Sequence, residues 1–311
     1  PHRFFDVVGL QRSLSRRNLA FVPKMWRARR AAIEMLRERR PQVVVSVGGY
    51  ASMPCVFAAR RLAIPVVVVS YDRRPGRASR LAARRAAVCA VAFPESDLPR
   101  AVHTGAPLRR AIRAVDRSRD REGAKARLGV PSDRFLIVVM GGSLGSGVLN
   151  AAVCELVSTW ADDRGLAIRH ICGDRFLAAM PPPADGSQGI LYDVKGFEDD
   201  MPSLYAAADL FIGRGGASTV CEVSAVGVPS ILVPWAASAE DHQTDNVRWL
   251  SDRGGAVMVT ESAGTAALLA EITRLRRDDR ARQLLADTAR DCGAMHRGDA
   301  IGRLIEETAR G

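Results

Sequence analysis

Residues 209 to 246 constrain the fold of this 311-residue chain more than any other stretch. The apolar run Leu210-Phe211-Ile212 reads as a buried strand. It is followed by Arg214-Gly215-Gly216-Ala217-Ser218-Thr219, a helical pattern that ends at Gly227, and a second strand after Val228-Pro229. Two short strands joined through one helix form a βαβ unit, and such strands run parallel. The same alternation recurs along the chain, with β-branched runs at 43 to 47, 66 to 70, 88 to 93, 135 to 140, 168 to 171, 210 to 212 and 231 to 233. Strands spaced by helices predict an α/β protein with parallel sheets.

The length suits two domains of ordinary size. Hydrophobic residues make up 47% and charged residues 25%, as in folded globular chains. The apolar runs fall short of the roughly 18 to 20 residues needed to span a membrane. Six scattered cysteines, Cys55, Cys89, Cys154, Cys172, Cys221 and Cys292, form no Cys-x-x-Cys and sit at no metal-ligand spacing, so no metal is expected and a reducing compartment fits. The first residues, Pro1-His2-Arg3-Phe4-Phe5-Asp6, lack a methionine and a signal-peptide pattern and read as a start inside a longer chain.

Charge divides the chain. Residues 1 to 110 hold 22 Lys/Arg against 6 Asp/Glu, while the rest holds 23 against 28. A single-sign field in the first half predicts an anionic partner there: nucleic acid, an acidic membrane or a phosphorylated substrate. Composition shifts between Arg109 and Ser132, where charged residues crowd out apolar ones. The expected division is therefore a first domain at 1 to 112, a linker at 113 to 131, a second domain at 132 to 285 and a C-terminal helix at 286 to 311 that crosses back to the first.

Two segments are suited to phosphate. Gly141-Gly142-Ser143-Leu144-Gly145-Ser146 joins a strand to a helix, and glycines there let backbone amides approach a ligand at the positive end of the helix dipole. A tight turn that binds nothing is the alternative. In the second segment the helix begins with small residues and hydroxyls. Free amides at Ala217, Ser218 and Thr219 can donate to a diphosphate, and Glu222, one turn in, can accept from both hydroxyls of a ribose. The competing reading is a capping box, since Thr219-x-x-Glu222 has that spacing. Further on, Gln243 and Asn246 lie three apart on one helix face, where amides can both donate to and accept from sugar hydroxyls. Polar strand ends of an open parallel sheet converge on one crevice.

In these segments the chain resembles the MurG family of lipid-linked peptidoglycan N-acetylglucosaminyltransferases. The resemblance rests on Gly196-Phe197-Glu198-Asp199-Asp200-Met201, residues 214 to 222, Gly227-Val228-Pro229-Ser230-Ile231-Leu232-Val233-Pro234, and Asp241-His242-Gln243-Thr244 with Asn246. Upstream it includes Gly48-Gly49-Tyr50-Ala51-Ser52, Ile64-Pro65-Val66-Val67, Gly105-Ala106-Pro107-Leu108-Arg109 and Gly141-Gly142-Ser143, so that it covers essentially the whole chain. It implies a GT-B fold, two Rossmann-like domains with parallel sheets facing a cleft, and UDP-N-acetylglucosamine as donor. Ser143 and the helix start at Ala217, Ser218 and Thr219 would meet the diphosphate and Glu222 the ribose. Phe197 and Glu198 would sit by the uracil, Gln243 would read the sugar hydroxyls with His242 and Asn246 in the same donor-binding segment, and Arg109 would approach the nucleotide from the hinge. The implied reaction is inverting transfer to the 4-hydroxyl of undecaprenyl-diphosphate-linked muramoyl-pentapeptide, forming lipid II. No bound metal is obligatory, and no Asp-x-Asp motif is present. The implied location is the cytoplasmic face of the bacterial plasma membrane, as a peripheral protein.

Two departures stand out. The family's Gly-rich loop ending in histidine would precede Pro1, so the catalytic residue is not identified. Where the family has a His-Glu-Gln-Asn run, this chain has Val69-Ser70-Tyr71-Asp72, and Asp72 can accept but not donate. Gly48, Gly49, Tyr50 and Asp72 are the candidates on the sugar and acceptor side. Phe21, Val22, Met25 and Trp26 followed by Arg29 and Arg30 read as a basic helix with an aromatic anchor, suited to an anionic membrane surface. An ordinary core-facing helix with a solvated arginine face is the alternative. No nucleic-acid-binding motif accompanies the basic charge. Other functions open to such a chain are another lipid glycosyltransferase of the same fold, a UDP-sugar epimerase, or a UDP-sugar-binding fragment without catalysis.

Overall fold

A computed structural model describes residues 2–7, 21–159, 161–238 and 241–311, with the side chains of Phe21 and Val22 outside the description. The chain divides into two compact units, residues 1–107 with 298–311, and residues 108–297.

The first unit begins with α1 (Phe21–Arg39), β1 (Val44–Ser46), α2 (Met53–Arg61), β2 (Val66–Ser70), α3 (Arg77–Ala83), β3 (Val88–Val91) and β4 (Ala101–His103). The four strands form a parallel sheet in the order β1-β2-β3-β4. Every residue of β2 is buried, which explains its unbroken Val-Val-Val-Val run: a central parallel strand is covered on both faces. Along α1 the buried positions are Met25, Ala28, Ala32 and Leu36, spaced by three and four as one helix face requires. Met25 packs with Met53, Val66 and Val68 in the core. The expectation that it faces a membrane is therefore corrected. Trp26, one residue on, turns outward and is 59% exposed.

The second unit contains α4 (Arg110–Arg113), α5 (Arg117–Arg127), β5 (Phe135–Met140), α6 (Gly147–Thr159), β6 (Leu166–Ile171), β7 (Ala184–Asp185), β8 (Leu191–Lys195), α7 (Met201–Ala207), β9 (Leu210–Arg214), α8 (Ala217–Val226), β10 (Ser230–Val233), α9 (His242–Ser251), β11 (Val257–Met258), α10 (Gly264–Arg277) and α11 (Asp279–Cys292). Its sheet has the order β11-β10-β9-β5-β6-β8-β7 and is parallel except for β7. Ile137, Val139, Leu166, Ile168, Leu210 and Ile231 of the sheet pack with Leu149, Val153 and Leu156 of α6 and Leu268, Ile272 and Leu275 of α10. The last helix, α12 (Ala300–Arg310), belongs to the first unit, where Ile301, Leu304 and Ile305 cover Val67, Val69 and Ala90.

The charged stretch expected as a linker is helical and part of the second unit. Asp116 caps α5 by accepting from the Ser118 amide at 3.0 Å. Arg117 donates to the carbonyls of Tyr205 and Ala208, which end α7, and Lys125 pairs with the buried Asp209 at 3.0 Å. Few apolar residues appear there because the helix is fastened by arginine and lysine rather than by a hydrophobic stripe.

One buried polar chain links three elements. Asn150 of α6 donates to the Cys172 carbonyl at 3.1 Å, so its amide oxygen must accept from His170 Nε2 at 3.0 Å. His170 Nδ1 then accepts from the Tyr192 hydroxyl at 3.0 Å. Burial pushes His170 down to about 4, which keeps the imidazole neutral in this chain. Because the unfolded chain takes up the proton near pH 6.5 and the folded chain only near 4, stability is full above that window and falls as pH drops through it. The slope is at most roughly 1.4 kcal/mol per pH unit. Denaturant titrations between pH 7 and 4 should show this loss, and His170→Gln should flatten it while lowering stability at neutral pH.

Candidate functional site

The parallel register of the second unit brings five strand ends to one edge. Met140 lies beside Gly213 and Ile171, Ile171 beside Lys195, and Arg214 beside Val233. The loops that leave these ends carry nearly all the donor-side candidates, as an open α/β sheet requires.

The start of α8 lies at the centre. Its N-cap is Gly216, which offers no side-chain cap, and the Val220 amide is the first to bond back, to Gly216 O at 3.0 Å. The amides of Ala217, Ser218 and Thr219 therefore have no partner within the helix ladder and point out at its positive end. Ala217 is buried and contributes only backbone, whereas Ser218 is exposed and Thr219 half-buried. The capping-box reading fails because the cap lies three residues before Thr219. Glu222 instead accepts a hydrogen bond from the wholly buried Tyr205 hydroxyl at 2.8 Å. Burial raises the Glu222 carboxyl above its ordinary range, against the Tyr205 bond and the charge of Arg109, which pull it down. Arg109 thus stands near Glu222 in the same unit.

The Gly-rich loop after β5 is held from behind. A Cβ on Gly145, at φ +70°, would sit 2.1 Å from the Cys172 carbonyl oxygen, so only glycine admits this approach of two loops. Ser146, not Ser143, closes the start of α6, its hydroxyl accepting from the Leu149 amide at 3.3 Å. Ser143 is left exposed at the loop's outer side. Arg214 then ties the edge together: it donates to Ser146 Oγ at 2.6 Å and to the Val233 carbonyl at 3.2 Å, and pairs with Glu261 at 2.6 Å. Glu261 also accepts from the Ala236 amide at 3.0 Å. Sequence spacing gave no hint of Ser146, Tyr205 or Glu261, because each acts through a partner distant along the chain.

The α9 candidates separate. Gln243 accepts from the Trp235 amide at 3.0 Å, which leaves its NH2 group as donor, and His242 is half-buried beside it. Asn246 is 1% exposed and donates to the Gly215 carbonyl at 3.4 Å. Its assignment to the sugar is corrected, since it supports the Arg214-Gly215-Gly216 turn from inside. On β8's loop, Phe197 is 57% exposed while the Glu198 carboxylate is turned inward onto Arg169 at 2.6 Å.

In the first unit, Gly48 and Gly49 follow β1 with φ of +90° and +72°, and Tyr50 and Asp72 are half-buried beyond the ends of β1 and β2. Of the membrane candidates, Trp26 carries the Arg30 guanidinium 5.9 Å from its ring, Arg29 is half-buried, and the Phe21 side chain lies outside the described residues.

A cavity of about 870 Å³ lies elsewhere in the second unit, lined by Arg117, Arg121, Lys125, Asp209, Gly227 and Arg282 among others. It sits by the opposite ends of β9 and α8, and its charges are spent internally: Arg121 and Lys125 share Asp209, and Arg282 pairs with Asp279. Size alone does not make it the site. Among the described residues no group of three or more His, Cys, Asp and Glu could hold a metal, and no helix is long and apolar enough to cross a membrane.

Comparison with known proteins agrees with this geometry. The glycosyltransferase family 28 C-terminal domain matches residues 136–296, and the family 28 N-terminal domain matches residues 1–91. The UDP-N-acetylglucosamine–N-acetylmuramyl-(pentapeptide) pyrophosphoryl-undecaprenol N-acetylglucosamine transferase of Desulforudis audaxviator is 33% identical over 99% of this chain and 85% of its own length. The protein of the same name from Clavibacter michiganensis is 37% identical over 92% of this chain and 77% of its own. The crystal structure of Acinetobacter baumannii MurG matches with a TM-score of 0.73 at 26% identity, covering 99% of this chain and 84% of that one. A chain with these loops on this fold, and with relatives this similar along nearly its whole length, belongs to the MurG family of family 28 glycosyltransferases.

Proposed function

We propose that this chain transfers N-acetylglucosamine from UDP-N-acetylglucosamine to undecaprenyl-diphosphate-linked muramoyl-pentapeptide, with inversion at the anomeric carbon. The observation that carries the reading is the uncapped start of α8 with Glu222 one turn inside it. Three amides outside the helix ladder, the Ser218 and Thr219 hydroxyls and the positive helix end stabilise the charge that develops on UDP as the sugar leaves. Ser143 reaches the diphosphate from the Gly-rich loop. Glu222, with one oxygen held by Tyr205, keeps acceptor lone pairs for the ribose hydroxyls. Phe197 lies against the uracil and Gln243, with His242, reads the sugar. Gly48, Gly49, Tyr50 and Asp72 serve the acceptor side. This set of groups needs no metal to neutralise the leaving diphosphate.

The acceptor's lipid places the reaction at a membrane. Trp26 with Arg30 over its ring, on a helix with the exposed Arg27, suits the surface of an anionic bilayer, on the cytoplasmic side where UDP-sugars are made. The membrane is then the anionic partner that the basic first half requires, and no nucleic-acid motif competes for it.

Titration calorimetry tests the donor. UDP-N-acetylglucosamine should bind more tightly than UDP-glucose, and Glu222→Ala should weaken it about tenfold to a hundredfold, the cost of a charged hydrogen bond. Since burial raises the Glu222 carboxyl, protonation removes the acceptor at a higher pH than for an ordinary glutamate near 4.3. Affinity should therefore begin to fall above that value as pH is lowered, and Glu222→Gln should remove the dependence. Unchanged binding in Glu222→Ala would discard the ribose role. For the membrane, Arg29→Glu with Arg30→Glu should abolish co-sedimentation with anionic vesicles, each basic residue contributing about 1 kcal/mol; undiminished co-sedimentation would remove α1 from the docking surface.

A further inference from the structure

Glu198 stands beside Phe197 in the loop after β8, yet its carboxylate is unavailable to any ligand. The side chain is 8% exposed, with one oxygen 2.6 Å from Arg169 Nη2 and the other accepting from the Asp200 amide at 3.2 Å. Lys195 approaches from the solvent side at 3.5 Å. Burial works against the charged form, but Arg169 and the Asp200 amide hold the Glu198 carboxyl below its ordinary range. Arg169 is 7% exposed and grips a second carboxylate, Asp193, its register partner on the neighbouring strand. One guanidinium thus ties β6 to β8 and reaches past the end of β8 to the loop.

The arrangement is a poor device for stability. A buried ion pair is commonly replaced by apolar residues without loss. Here, moreover, Arg169 Nε has no hydrogen-bond partner among the described residues, which adds a desolvation cost. What the pair does provide is position. Asp200, two residues on, caps α7 by accepting from the Ser203 amide at 3.1 Å. The loop between Lys195 and Met201 is therefore fastened at Glu198 and again at Asp200, and between the sheet and the first fastening Phe197 is held out, 57% exposed. A large apolar ring kept in solvent by a fixed backbone suits a flat ligand.

We infer that Arg169 is a positioning residue for donor recognition: by holding Glu198 inward it fixes the Gly196-Phe197-Glu198 loop against the nucleobase, and it touches no substrate. The inference rests on the proposed donor, UDP-N-acetylglucosamine. Its effect falls on the nucleobase part of donor binding and not on the diphosphate or ribose part, which belong to α8 and Glu222.

Calorimetry with UDP and with ribose 5-diphosphate, which lacks the base, on the full chain separates these terms. The variants Glu198→Gln, which keeps the shape, and Arg169→Lys, which keeps one contact, should each melt within a few degrees of the parent. In Glu198→Gln, UDP affinity should fall about tenfold, equivalent to ~1.4 kcal/mol, while ribose 5-diphosphate affinity stays within about twofold. Arg169→Gln should lose at least as much UDP affinity, and Arg169→Lys should recover part of it. Equal losses for UDP and ribose 5-diphosphate, or no loss for either, would overturn the positioning role and leave a structural ion pair. If the parent chain does not bind UDP, or if Glu222→Ala leaves UDP affinity unchanged, the donor reading itself fails, an outcome recognisable without any Arg169 variant.

Discussion

Parallel pairing is the constraint on which the rest depends. A strand that must run beside its predecessor in the same direction can return only through a crossover, so every strand of the second unit except β7 points its carboxyl end the same way. Loops that are distant in sequence, after Met140, Lys195, Arg214 and Val233, then open along one edge. The backbone arrives there with helix starts facing outward, and a helix start is a site of positive potential before any side chain is chosen. Chemistry at that edge is the selection of small residues that leave the potential uncovered.

Holding the edge open has a cost that the structure meets with polar ties from behind. Arg214 reaches Ser146, the Val233 carbonyl and Glu261, joining the loops after β5 and β10 to the end of β9. Asn150 holds the Cys172 carbonyl, against which Gly145 packs with no room for a side chain. Glu222 sits half-buried against Tyr205, raised in pKa by the same burial that orients it. The charged cavity near Asp209 is the contrast: its cations end on carbonyls and on the Asp209 and Asp279 carboxylates within the unit. Ionic groups there clamp helices, whereas those at the opposite edge support amides that have no partner in the helix ladder.

Much of this was legible in the sequence. The βαβ unit of residues 209 to 233 was readable because its strands are buried on both faces and its helix is bounded by Gly216 and Gly227. β8 escaped notice because Leu-Tyr-Asp-Val-Lys lies toward the sheet's side, half exposed, and mixes polar with apolar residues. The stretch from 109 to 132 looked like a linker because its helix is fastened by arginines and Lys125, which periodicity of apolar residues cannot detect. Asn246 and Met25 were misplaced for a related reason. Sequence shows which residues share a helix face, but not which face meets the core, and Asn246 is 1% and Met25 8% exposed. The part played by Ser146 could not be read from the Gly-rich loop, because only three-dimensional structure shows which hydroxyl meets the Leu149 amide and Arg214.

Amide hydrogen exchange with and without UDP-N-acetylglucosamine tests the central claim most directly, because the claim concerns amides left free at one edge of one sheet. Binding should slow exchange at residues 142 to 146, 197 to 198 and 217 to 219, and leave residues 116 to 125 and 279 to 290, around the charged cavity, unchanged. Protection of the cavity helices with none at the start of α8 would contradict the account.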